Sequence, residues 1–162
     1  MKIKRILAAL LIMLLLVGTT ACSSRVSVPF LHNSNVCITD SREAIISGLR
    51  LSYVSDIGVY ETPGSVTIAG VEFEGAEVEF IGSILDYVIY FIDGPNDGDF
   101  DTVFGHLTSL FGRPAEQQRT TYAWPVVQDD VAFLVTLSFF EGFELSSGAV
   151  IEPSLYLTMA LQ

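Results

Sequence analysis

Between Val71 and Pro114 the hydrophobic period changes from two residues to 3.6, and this change restricts the fold more than any other feature of the chain. Val71 and Phe73 alternate with Glu72 and Glu74. Val78 and Phe80 then alternate with Glu77 and Glu79 in the opposite phase, and Ile84 to Ile92 is apolar on both faces. After the turn residues Asp93-Gly94-Pro95-Asn96-Asp97-Gly98, Phe100, Val103, Phe104, Leu107, Leu110 and Phe111 fall on one helical stripe. Gly112 and Pro114 end that helix, because glycine suits the left-handed residue after a helix and proline cannot continue one. A chain patterned this way packs a helix against strands.

Upstream, Thr39-Asp40-Ser41 with Glu43 marks a helix start, and Ala44, Ile45, Ile46 and Leu49 supply its apolar side. Ser65 to Phe73 reads as a strand interrupted at Gly70. At Gly75-Ala76 a two-residue turn explains the phase flip and sets Glu74 opposite Glu77 and Glu72 opposite Glu79. Downstream, strands are expected around Gln118 to Trp124, from Val131 to Phe140 and from Leu155 to Leu161, with a turn at Gln128-Asp129-Asp130. The predicted fold is α+β: an antiparallel sheet of about five to six strands with two helices, in the order α-β-β-β-α-β-β-β. Each half is a helix leading into a meander, although the halves share little residue-level similarity.

The first 21 residues read as an export leader: Lys2, Lys4 and Arg5, an apolar run from Ile6 to Val17, and the small residues Thr19-Thr20-Ala21 before Cys22. The run is short for a membrane span. This segment resembles a bacterial lipoprotein signal, in which the cysteine becomes the new N-terminus and carries acyl chains. Thr19 stands where leucine is usual, and an ordinary signal peptide or an uncleaved anchor are the alternatives. The resemblance implies an exported protein held at the cell membrane or outer membrane through Cys22, with residues 22–38 as a lipid-attached linker and 39–162 as one globular domain. His32 falls in that linker without a structural context. Cys37 reads as a small linker or buried residue, or as the disulfide partner of an unlipidated Cys22.

The 162 residues carry eight basic and 19 acidic side chains, a net charge of −11. Without the leader, only Arg25, Arg42, Arg50, Arg113 and Arg119 face those 19 acids, and no lysine remains. Such a surface repels phosphate backbones and anionic lipid, which argues against nucleic-acid binding and points to a partner with a basic surface.

The layout is also similar to small α+β envelope modules, and distantly to the tandem arrangement of β-lactamase inhibitor proteins. Leu107, Leu110, Phe111, Gly112 and Pro114 resemble the helix end of SmpA/BamE-type domains. That motif follows from helix termination alone and assigns no functional residue.

Two acidic groups are the candidate contact sites for a cation or a partner. Glu72, Glu74, Glu77 and Glu79 would form a ladder whose repulsion a bound cation or basic partner relieves. A solvated hairpin face is the competing explanation. Asp93, Asp97, Asp99 and Asp101 offer the hard oxygens that calcium uses, but their spacing is not that of an EF-hand, and a turn with a helix cap accounts for them. For catalysis there are only His32 and His106, with no nucleophile motif, paired cysteines or phosphate loop. The expected function is therefore a non-enzymatic, lipid-anchored protein-binding or scaffold module without a cofactor. A lipoprotein binding a cation or small ligand through the Glu72–Glu79 hairpin or the Asp93–Asp101 loop is the alternative. A pocket converging on His106 would favour an enzyme.

Overall fold

The computed structural model describes residues 28–56, 58–128 and 130–162, so the leader and Cys22 lie outside the described residues. The first half comprises β1 (Pro29–Phe30), β2 (Asn33–Cys37), α1 (Arg42–Leu49), β3 (Ser52–Val54), β4 (Val59–Glu61), β5 (Val66–Ile68), β6 (Val71–Phe73), β7 (Gly75–Ile81) and β8 (Ile84–Asp93). The second comprises α2 (Asp99–Phe111), β9 (Glu116–Gln118), β10 (Thr121–Gln128), β11 (Val131–Phe140), β12 (Phe143–Glu144), β13 (Val150–Ile151) and β14 (Ser154–Leu161).

Eight strands form one antiparallel sheet in the order β3-β4-β7-β8-β14-β11-β10-β9. The chain thus runs twice from a helix through four strands, each time from a sheet edge to its centre, and the halves meet where β8 pairs with β14. The α+β class is as the pattern implies. The expected five to six strands and the simple α-β-β-β repeat are not: the sheet is larger, and three two-stranded hairpins, β1-β2, β5-β6 and β12-β13, are added to it.

One face of the sheet is covered. Val78, Val88, Tyr90, Leu157, Val135 and Trp124 point into a core that also takes Ile45 and Leu49 from α1, Val103 and Leu107 from α2, Phe30 and Val36 from the first hairpin, and Ile68 and Phe73 from the second. Local chemistry explains both helix ends. Ser41 Oγ accepts from the Ala44 N–H at 3.3 Å, capping α1. At the end of α2, the Gly112 N–H bonds to Thr108 O, and the Gly112 carbonyl accepts from the buried Trp124 Nε1 at 3.0 Å. Phe100, Phe104, Tyr122 and Trp124 pack with ring centroids 4.9 to 5.7 Å apart, so α2 is fixed to β10 by aromatic edges as well as by that bond.

Residues 28–38 are not the tether that their small and polar composition suggests. Val28, Phe30, Val36 and Ile38 are all buried, so the hairpin is part of the core. It seats directly on α1, where a Cβ at Gly48 would come within 2.6 Å of Val36 Cγ2. Four apolar side chains outweighed a run of serine and asparagine.

The Gly75-Ala76 turn does not form either. Ala69 (φ 54°) and Gly70 (φ 87°) make the tight two-residue connection, pairing Ile68 with Val71, and the short β5-β6 hairpin folds over the covered face. Gly75 and Ala76 instead open β7, held by Ala76 N–H to Thr62 Oγ1 and Thr62 N–H to Ala76 O, each 3.0 Å. The phase flip at Glu74 marks a change of sheet.

Replacing Trp124 by Phe keeps most of the ring packing but leaves the Gly112 carbonyl without its indole donor. Urea denaturation is expected to show a loss of about 1–2 kcal/mol with little change in m-value.

Candidate functional site

The structure separates the residues that the sequence grouped. Because β6 pairs with β5 and β7 pairs with β4 and β8, the four-glutamate ladder does not exist. Glu72 lies opposite Thr67 and accepts from Ser65 Oγ at 2.6 Å. Glu74 accepts from the Asp93 backbone N–H at 3.0 Å. Glu77 and Glu79 are on the other face of the sheet, Glu77 directly opposite Glu61 and Glu79 opposite Tyr87.

The aspartates of the α2 approach are likewise dispersed. Asp93 Oδ1 accepts from Ser154 Oγ at 3.1 Å, and Asp99 Oδ2 accepts from the Asn96 N–H at 2.8 Å and from Asn96 Nδ2. Asp97 precedes the helix and Asp101 lies exposed in its first turn. Gly98 is the N-cap residue, with no side-chain bond to the helix amides. Among the described residues no group of three or more His, Cys, Asp or Glu is placed to hold a metal ion.

The face carrying Glu77 and Glu79 is the one that neither helix covers. Across it, the registers align Tyr87, Ile89 and Phe91 of β8, Tyr156, Thr158 and Ala160 of β14, Leu134 and Thr136 of β11, and Ala123 and Pro125 of β10. Most are half-buried by their neighbours, while Tyr156 is 41% and Val127 75% exposed. Glu79 accepts a hydrogen bond from Tyr87, and that bond, with the nearby carboxylates, pushes the phenol up to about 12.

At one end of this face stands the β12-β13 hairpin, where Phe143, Leu145, Val150 and Ile151 are all exposed and Phe143 meets Phe140 edge-on at 5.8 Å. Glu141, Glu144 and Glu152 interleave with them, all exposed. Gly142 (φ 70°) lets the two legs of the hairpin touch, since a Cβ there would overlap Ile151 O and lie 2.7 Å from Pro153 N.

The two histidines come together in a way their positions in the sequence do not announce. His32, in the β1-β2 turn, and His106, on α2, both line one cavity. Its described lining has no carboxylate. His32 Nδ1 lies 3.0 Å from the hydroxyl of the fully buried Tyr90, and burial lowers its pKa from 6.5 to about 4. Burial also raises that of Tyr90. The alternation of Val28 with Phe30 and of Val36 with Ile38, on either side of His32, is the signal that could have placed this histidine in a hairpin.

Cys37 lies half-buried in β2, its N–H bonded to Asp40 Oδ2 at 2.9 Å. No described helix is long and apolar enough to cross a membrane. Compared with known proteins, the chain matches no family model, no curated protein and no solved structure.

Two outcomes follow from this geometry. With Asp93 and Asp99 engaged separately, millimolar calcium is expected to leave the melting temperature unchanged, and a rise of several degrees would reinstate a cation site. For His32 the folded-state pKa lies below the unfolded value. The neutral ring therefore contributes its full share above pH 6.5, and that share is lost as the pH falls towards about 4. Between pH 7 and pH 4.5 the wild type should lose about 1–2 kcal/mol more than His32→Gln in paired thermal melts, a figure reduced for the partial exposure of the ring.

Proposed function

We propose that this chain is a lipid-anchored envelope lipoprotein that binds or positions another protein and performs no chemistry of its own. Its leader is cleaved before Cys22, acyl chains on that cysteine hold it at the cell or outer membrane, and the folded part faces away from the cytoplasm. The basic, apolar and small-residue zones ending in Cys22 support the anchoring.

The observation that carries the binding role is the bare face of the sheet. Eight strands at about 4.8 Å spacing, over central strands about 26 Å long, give an area on the order of 800 Å², which is what each partner of a stable protein complex contributes. The exposed Tyr156, Phe140, Phe143 and Ile151 offer apolar and aromatic anchors. The flanking Glu61, Glu77 and Glu79, with the glutamates of the β12-β13 hairpin, select a partner with Arg or Lys at its rim. Glu61 and Glu77 are like charges directly opposed, a cost of some tenths of a kcal/mol that a partner's cation would relieve.

The test combines intact-mass analysis of Cys22 with crosslinking capture from membranes. Wild type should bear lipid and yield a specific crosslinked partner. Tyr156→Asp and Phe143→Asp should each reduce that crosslink at least five-fold while melting normally, and higher salt should weaken it. An unmodified, freely diffusing product would remove the anchor, and capture unaffected by both variants would remove the binding face.

A further inference from the structure

The cavity that the histidines share lies where β1 passes the end of α2 and the β10-β11 hairpin, and its rim reaches Pro125 and Val127. Its volume is about 820 Å³, within the range of small-molecule sites. Leu110, Val126, Phe133 and Met159 give it apolar walls, and His32, His106, Ser34 and Gln128 are the polar side chains of its described lining. Apolar walls with a few convergent polar atoms are the usual make-up of a ligand pocket.

The protonation of His32 follows from its neighbours. The Leu31 backbone N–H donates to the Tyr90 hydroxyl oxygen, and Tyr90 is fully buried and stays protonated. In the tautomer that leaves neither buried atom unpaired, the Tyr90 hydroxyl donates to His32 Nδ1, 3.0 Å away. A neutral imidazole accepting at Nδ1 carries its hydrogen on Nε2, so His32 is held as a donor of one fixed tautomer. With 19 acidic residues and a net charge of −11, the protein repels anions, and the cavity's described lining has no carboxylate to receive a cation. A neutral molecule is what remains.

We propose that this cavity binds a neutral, apolar small molecule bearing a carbonyl-type hydrogen-bond acceptor, which His32 engages through Nε2–H. The cavity shares only its rim, Pro125 and Val127, with the protein-binding face, and it is tested by substitutions at His32, Leu110 and Val126 that leave that face untouched.

The probe is 6-propionyl-2-(dimethylamino)naphthalene, a neutral aromatic ketone whose emission shifts to the blue in apolar surroundings. N-phenyl-1-naphthylamine, which has no carbonyl, serves as control. At pH 7 the ketone is expected to bind saturably at one site per chain. Val126→Trp and Leu110→Trp, each adding an indole to the wall, should weaken it at least ten-fold. Leu110 is 52% exposed, so its replacement keeps the fold even if the Val126 variant melts early. His32→Phe should weaken the ketone about five-fold, as one neutral hydrogen bond is lost, and leave the control within two-fold of wild type. Absence of saturable binding, or wild-type affinity in the tryptophan variants, overturns the site. Equal effects of His32→Phe on both probes, or none on the ketone, overturns the assignment of the acceptor.

Discussion

The antiparallel pairing of β8 with β14 is the constraint on which the rest of the molecule rests. Seven residue pairs, from Ser154 with Asp93 to Ala160 with Tyr87, join residues 61 to 73 positions apart in sequence. On the covered side this seam carries Val88, Tyr90, Ile92, Leu155, Leu157 and Met159, all buried, and both helices pack over the core they form. Neither half can bury its inner face alone, because each meander would leave its fourth strand as an open apolar edge. Joining at the centre moves the edges outwards to β3 and β9, which are only three residues long, and the outer one of the second half reads Glu116-Gln117-Gln118. Short, polar edges are poor templates for pairing with another chain, so the sheet ends where it should.

A consequence of covering only one face is an uneven distribution of polar chemistry. The covered side is almost entirely apolar: the Trp124 indole bonds to Gly112 and the Tyr90 hydroxyl to His32, while Thr108 Oγ1 on α2 is buried without a hydrogen-bond partner. The bare side mixes threonine, tyrosine and glutamate with half-buried aliphatic residues. Among the arginines, Arg42 is committed within the fold. It donates to Gly82 O and to the Tyr60 hydroxyl, and its guanidinium lies 5.4 Å from the Tyr60 and Phe80 ring centres.

What the sequence made legible was whatever depended on short-range pattern. The α2 boundaries, Asp99 to Phe111, follow from the spacing of Phe100, Val103 and Leu107 and from Gly112, and the long strands β11 and β14 follow from alternation. What failed depended on which strand a segment chooses as neighbour. Val71 to Phe80 reads as one hairpin because its alternation is strong, but alternation fixes the faces of a strand and not its partner. The tight connection at Ala69-Gly70 captured β6 first. The acidic ladder vanished with that choice, although Glu77 did end up opposite a carboxylate, that of Glu61. The cavity was invisible for the same reason: His32 and His106 are brought together by a hairpin whose four buried apolar residues are diluted by serines and asparagines.

Val28, the first described residue, is buried with Phe30 in the core. A pull applied at Val28 would therefore load the β1-β2 hairpin and the His32 pocket first, on the side of the sheet opposite the bare strands.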